Sequence, residues 1–371
     1  MARAWADVSL DAVAANVETL RALCAPAALC AVVKADGYGH GAVPVARAVL
    51  EAGADWLAVA QVPEATQLRA AAITAPTLLL SEPRPDEIDR ALASGVAITV
   101  YTRELIEHLG AVARSDGMQV SVHLKVDTGM HRVGAAPAHA VELAQRISAE
   151  PALSLDAMWT HCAVADEPDD PFTAVQLQRF DASVAAVEAA GIPVPRRHAA
   201  NSAAALAHPA SRYDLVRCGI AIYGIPPAPV LADLVDLRPA MRLATEVAFV
   251  KPVAAGEGVS YGLRHRLATD TLVATLPIGY ADGLFRGLGV AGQEVLIGGR
   301  RHPMVGVVTM DQVMVDVGAG SGVQPGDEVV LLGAQGTERI SPEEWAAHLG
   351  TIAYEVVCAI GARVERRYGT S

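Results

Sequence analysis

Residues 31–41 read AVVKADGYGHG. The run opens on small apolar residues, the composition of a strand buried on both faces, and stops at a lysine followed at once by glycine, tyrosine and histidine. An apolar strand that hands over to a glycine-punctuated polar loop is the repeating unit of parallel α/β folds. Counting outward from it, eight such apolar runs occur, at 29–33, 56–60, 76–80, 96–101, 120–126, 156–161, 197–200 and 215–223. Alanine-rich amphipathic stretches lie between them, among them 10–23, 41–52, 62–72, 141–149 and 174–190. The alternation predicts an α/β fold, a closed (β/α)8 barrel of TIM type. In such barrels functional groups gather at the C-terminal ends of the strands. Several polar residues fall there: Lys34 after the first run, Asp127 and Arg132 after the fifth, His161 ending the sixth, Asn201 and Ser202 after the seventh, and Arg217 in the eighth.

Past residue 237 the texture changes to strands without regular intervening helices, as in TEVAFVKPV, DTLVATLPIGYADG, VGVVTMDQVMVDVG and GDEVVLLG. Alternation, glycine turns and β-branched residues predict a mostly antiparallel β domain, interrupted by one helix at 342–350. The proline-rich IPPAPVLADLVDLRP bridges the two textures. The expected division is a barrel over 9–237 and a β domain over 238–371, the latter joined by residues 1–8.

Charges sum to 29 − 41 = −12 with no block of like charge, which argues against a nucleic-acid groove or an anionic membrane surface as partner. No apolar run reaches the roughly 20 residues of a membrane helix, and MARAWADVSLDAV has no leader pattern, so a cytoplasmic chain is expected. The five cysteines are scattered with no CxxC pair, as expected of reduced core residues and not of a metal site.

Only three lysines occur, Lys34, Lys125 and Lys251. Arginine cannot replace a lysine that must lose its proton and attack a carbonyl. An amine held among apolar groups has a lowered pKa and forms Schiff bases with aldehydes, of which pyridoxal phosphate is the commonest. Donors for its phosphate are on hand in Tyr38, the Asn201-Ser202 pair, and the backbone N–H groups of Gly219 and Ile220 in RCGIAIYG. The competing reading of Lys34 is a solvated loop lysine, since most lysines are exposed.

Taken together, AVVKADGYGHG, VDTGMHRVG, HAANSAA, VRCGIAIYG, VSYG, PIGYADG and VTMDQ resemble the motifs of the alanine racemases, in order and spacing, over nearly the whole chain. Two departures are Thr309, where many relatives have cysteine, and Asp36-Gly37, where Asn-Ala is frequent. The resemblance implies a pyridoxal-phosphate enzyme with a barrel and a C-terminal β domain that interconverts L- and D-alanine, supplying D-alanine for peptidoglycan. It makes Lys34 the Schiff-base lysine and one proton carrier, and Tyr261 the carrier on the opposite face, tuned by His161, itself linked to Arg217. Arg217 would face the pyridine nitrogen, where it can only donate. By the same resemblance Arg132 takes the substrate carboxylate and a carbamylated Lys125 orients it. Tyr354 adds a phosphate donor, while Met310 and Tyr280 narrow the pocket. Tyr261 and Met310 reach the cofactor of a partner subunit, so a homodimer is implied.

Residue by residue, other readings stand beside these: Tyr261 as an ordinary tyrosine at a glycine turn, Arg217 as a structural arginine paired with Asp214, Met310 as core packing. For the whole chain the alternatives are a serine or broad-specificity racemase, an amino-acid decarboxylase on the related scaffold, and a non-catalytic pyridoxal-phosphate carrier. The carrier is usually a barrel alone.

Overall fold

The computed structural model describes residues 4–369. Two compact units divide the chain: one comprises Ala12–Gly37 and Ala42–Arg238, the other Met1–Asp11, Tyr38–Gly41 and Pro239–Ser371.

The first unit is an eight-stranded parallel sheet rolled into a nearly closed barrel, with strands Ala28–Val32, Trp56–Val59, Thr77–Leu79, Ala97–Val100, Val120–Lys125, Leu153–Trp159, Arg197–His198 and Leu215–Cys218. From the first to the seventh each pairs in parallel with the next, and Leu215–Cys218 returns to pair with Ala28–Val32. The remaining seam, between the last two strands, is bridged by Asp214 N–H to Arg197 O (3.1 Å) and Arg217 N–H to Ala200 O (2.9 Å). Helices such as Leu10–Cys24, Arg103–Ser115 and Phe172–Ala189 alternate with the strands. On Arg103–Ser115 the buried residues Leu105, Ile106, Leu109 and Ala113 recur at helical spacing, and the N-cap Thr102 accepts from Leu105 N–H.

Two strands depart from the sequence expectation. The sixth begins at Leu153, not 156, because Asp156 is an extra residue: Val122 pairs with Leu155 but His123 with Ala157. This bulge breaks the alternation a pattern search relies on. The eighth stops at Cys218 instead of running to 223, since Gly219 turns the chain into a 3-10 segment, Ile220–Tyr223.

In the second unit Ala4–Ser9 pairs antiparallel with Met241–Glu246 and parallel with Glu365–Gly369. The sheet continues through Glu328–Gln335, Glu294–Ile297, Arg300–Val305, Val313–Asp316, Thr271–Leu276 and Phe249–Val253, all antiparallel. Its core gathers Leu243, Leu276, Val295, Val315, Leu331 and Trp345. The expected helix is Pro342–Leu349, capped by Ser341 and stopped by the left-handed Gly350. A further short helix, Ala353–Cys358, was not anticipated. Among the described residues no helix is long and apolar enough to cross a membrane.

Candidate active site

Lys34 stands where the first barrel strand ends, half-buried, and the backbone after it enters a left-handed turn: φ is 52° at Ala35, 51° at Asp36 and 61° at Gly37. That conformation costs a non-glycine residue about 1–2 kcal/mol. It is held by Gly37 N–H to Val33 O (2.9 Å), Ala35 N–H to Glu64 Oε1 (2.7 Å) and Ala42 N–H to Asp36 Oδ1 (2.9 Å). Asp36, one of the two departures noted in the sequence, thus satisfies the first amide of the following helix.

Arg217 lies at the centre of the barrel, fully buried. Nη1 donates to His198 Nδ1 (2.9 Å), and Nη2 donates to Thr160 O (2.9 Å), Ala199 O (3.0 Å) and His161 Nδ1 (3.1 Å). It makes no ion pair among the described residues. Asp214 instead accepts from Arg197 N–H at 2.7 Å, which removes the Asp214 reading of Arg217. Trp159 supplies a π face, with the guanidinium carbon 4.6 Å and Lys125 Nζ 4.3 Å from the ring centroid. Burial pushes Arg217 down to about 10, still protonated at neutral pH. His161 is held well below its ordinary value by burial and then by Arg217. Gln176 fixes the His161 backbone, donating to His161 O (3.1 Å) and accepting from Ala163 N–H (2.7 Å).

Lys125 is buried, and its amine is pushed down to about 7, first by desolvation and then by the charges of Arg217 and Arg132. Asp127 opposes them. The Asp127 carboxylate accepts from Gly129 N–H (3.0 Å) and His131 N–H (3.1 Å), which shapes the loop carrying the exposed Arg132. Only glycine fits at 134, where a Cβ would lie 2.8 Å from Asp127 N. Lys34 is near enough for its charge to bear on both Lys125 and His161.

The expected anion donors are partly engaged already. Asn201 Oδ1 caps the helix Ser202–Ala207 by accepting from Ala204 N–H (2.9 Å), and its Nδ2 donates to Cys162 O (3.4 Å). Ser202 Oγ accepts from Gly219 N–H (2.9 Å) and Ala221 N–H (3.5 Å). The serine and the Gly219-Ile220 turn are therefore one hydrogen-bonded device.

In the second unit the structure brings Tyr38 and Tyr354 together, ring centroids 6.2 Å apart. Burial, then Cys358, pushes the Tyr38 phenol up, so it stays a donor at neutral pH. A separate exposed patch carries Tyr261, Tyr280 and Met310. Their loops are knitted by Tyr280 N–H to Thr309 O (3.0 Å), Ala281 N–H to Met310 O (3.0 Å) and Ser260 Oγ to Val307 O (2.8 Å). At Gly279 a Cβ would meet Met310 O at 2.3 Å, so PIGYADG needs its first glycine. Met310, being exposed, is not core packing. Four cysteines are buried and Cys358 is exposed. Among the described residues no cluster of three or more His, Cys, Asp or Glu could hold a metal ion.

Known proteins resemble this chain over nearly its whole length. Residues 8–227 match the family model "Alanine racemase, N-terminal domain" and residues 240–368 match "Alanine racemase, C-terminal domain". The chain belongs to the alanine racemase family. The alanine racemase of Symbiobacterium thermophilum is 48% identical over 98% of this chain and 97% of its own length. That of Mycobacterium bovis is 46% identical over 98% and 96%. The solved alanine racemase of Streptomyces coelicolor superposes with a TM-score of 0.94 at 40% identity, covering 100% of this chain and 99% of that one. The racemase from the D-cycloserine producer Streptomyces lavendulae gives 0.93 at 41% identity, covering 99% and 97%.

Within this racemase fold the sequence reading missed His123, Trp159 and His198, all buried around Arg217. A signal existed for His123: it lies two residues before Lys125, on the same face of a strand.

Proposed function

We propose that this chain interconverts L- and D-alanine with pyridoxal 5'-phosphate held at the C-terminal ends of the barrel strands, acting as a homodimer in the cytoplasm and supplying D-alanine for peptidoglycan. The observation that carries the reading is Arg217, a buried guanidinium without a carboxylate. Its contacts leave Nε–H and one Nη1–H with no acceptor among the described residues. Lys34 and Arg132 add positive charge around it, opposed by Asp127. A donor set of this kind fits an anionic cofactor whose ring nitrogen accepts and is not protonated.

Bound there, pyridoxal phosphate would supply an aldehyde for the Lys34 amine and a conjugated ring to spread the electron pair left at the α-carbon of alanine. Racemisation needs a proton removed from one side of that carbon and returned from the other. Lys34 Nζ serves one side, and Tyr261 Oη of a second copy serves the other. His161, anchored by Arg217, supports the phenol. Arg132, a fork of donors, takes the substrate carboxylate, and Lys125, whose amine at about 7 is roughly half neutral at neutral pH, is suited to carbamylation by carbon dioxide. Tyr38, Tyr354, Ser202 and the Gly219-Ile220 turn provide neutral donors for the phosphate. Tyr280 and Met310 restrict the side-chain pocket to a methyl. Relatives spanning both modules are alanine racemases, which sets this reading above the carrier and decarboxylase alternatives.

The test is incubation of the purified protein with each alanine enantiomer, following optical rotation and α-deuterium exchange. Exchange from both is expected; none from either would overturn the enzymatic reading, and exchange from one alone the two-base scheme.

A further inference from the structure

The hydrogen bonds of Arg217 do more than hold it. A guanidinium has five donors and no acceptor. Since it donates to Nδ1 of both His161 (3.1 Å) and His198 (2.9 Å), each of those nitrogens must offer a lone pair, and each ring carries its proton on Nε2. His198 Nε2 lies 3.1 Å from His123 Nδ1, so it donates there, and His123 must likewise carry its proton on Nε2. One guanidinium thereby dictates the tautomers of three imidazoles reached from three different barrel strands. Neutrality is required throughout, because an imidazolium at 198 would set two donors against each other. Burial supplies it: His123 is pushed down to about 4, and His198 is held well below its ordinary value by burial and by Arg217.

We propose that His198 and His123 are positioning residues for the reaction, forming with Arg217 a single-polarity relay that makes His161 present an N–H, and never a lone pair, on its Nε2 side. His123 receives the His198 proton, much as a carboxylate fixes the tautomer of a catalytic histidine. A carboxylate in its place would raise the pKa of His198 and turn the acceptor Arg217 needs into a donor, so a neutral acceptor is the only one compatible with the arginine. Local structure serves the relay. Trp159 stacks on His198 with rings 5.4 Å apart and 12° from parallel, and Trp56 packs on His123 at 5.6 Å. The bulge at Asp156 resets the pairing of the neighbouring strand so that His123 sits opposite Ala157. An N–H at His161 Nε2 stabilises an anionic oxygen, which is what a phenol acting as base must become. The catalytic consequence rests on the racemase reading above; the tautomer pattern does not.

The holoenzyme labelled with 15N in its histidine rings separates the two. At neutral pH the three rings should all show protonated Nε2 and bare Nδ1, with signals assigned by loss in single variants. In His123→Leu the His198 ring, still fixed at Nδ1 by Arg217, should keep its proton on Nε2 but lose that proton's acceptor, so its Nε2 signal should shift, and kcat should fall about tenfold, the lower end of losses seen when an orienting partner is removed, with KM little changed. His123→Asn, whose Oδ1 replaces the accepting Nδ1, should restore both. A proton on Nδ1 of any of the three rings in the unaltered protein overturns the relay, whether or not the leucine variant folds. So does an unchanged His198 Nε2 signal with unchanged kcat in His123→Leu. Absence of racemisation with the tautomers as stated would sink the proposed activity and leave the relay standing.

Discussion

Arg217 in the barrel is 3% exposed and spends its donors on two imidazoles and two carbonyls, whereas Tyr261 in the β unit is 75% exposed and Met310 beside it 53%. The two regions solve different problems. A buried cation needs acceptors within its own unit, because a buried charge left without them costs several kcal/mol, and the four acceptors of Arg217 fix it before any ligand arrives. A tyrosine and a methionine on knitted loops can stay open without such a penalty, since apolar surface is common on proteins. What distinguishes this patch is its clustering: Leu263 and Tyr280 are exposed as well, an apolar surface of the kind that marks a partner site.

The largest expected effect probes the barrel. Lys34→Ala should lower turnover by at least about 10³-fold, the scale of losing a residue that both holds and reacts, and should abolish the visible, borohydride-reducible chromophore. Far-ultraviolet circular dichroism should be unchanged, because Glu64 and Asp36 hold the turn after Lys34.

Tyr261→Phe probes the other region, with a loss of about 10²-fold or more for a proton carrier and an unfolding temperature within about 1 °C of the parent, as for exposed sites generally. Mixing this variant with Lys34→Ala under conditions of subunit exchange sharpens the contrast. If each site draws its lysine and tyrosine from different copies, a mixed dimer contains one intact site, and random pairing restores about a quarter of the parent activity. If both come from one copy, mixing restores nothing.

How far the sequence reveals these regions depends on what fixes each residue. The barrel strands are legible because burial on both faces forces short apolar runs, and Lys34 is legible because it interrupts one. The helix Arg103–Ser115 went unnamed although its apolar spacing is regular, and Ala353–Cys358, which carries Tyr354, is too short for periodicity to register. Asn201 reads as an anion donor, and its oxygen also caps a helix, a role the pattern does not separate because N-cap chemistry and anion binding call for the same residue types. His123 and His198 escaped notice because what matters is which nitrogen faces which neighbour, and only the closed barrel decides that.

Lys125 gives a smaller effect, read as stability against pH. Its folded pKa, about 7, lies below the ordinary lysine value of 10.5, so between those limits the unfolded chain binds more protons than the folded one. Stability therefore rises with pH across that window, and below pH 7 the full cost of desolvating the amine remains. In buffer free of carbon dioxide, so that the amine is unmodified, the parent should gain about 2 kcal/mol relative to Lys125→Met, which has no such proton, between pH 7 and pH 9, at 1.36 kcal/mol per unit. Denaturant titrations of both proteins at the two pH values test this; a constant difference would mean that the amine is already ionised or already modified.

The smallest effect returns to the exposed patch. Thr309 Oγ1 donates to Gln312 O (2.7 Å) and accepts from Gln312 N–H (3.2 Å), closing the loop that presents Met310. The pair is exposed, so Thr309→Val should cost only about 1 kcal/mol of stability, the net worth of a solvent-accessible hydrogen bond. On the proposed reading, in which Met310 narrows the side-chain pocket, the consequence for function should be larger than for folding, because a looser loop would let Met310 retreat and admit serine beside alanine. A hydroxymethyl for a methyl shifts selectivity by about 1–3 kcal/mol, so the ratio of kcat/KM for alanine to that for serine should fall several-fold in Thr309→Val and recover in Thr309→Ser. An unchanged ratio in both variants would mean that the loop is held by the backbone bonds of Thr309, Tyr280 and Ala281, and that the open region is more rigid than its exposure implies.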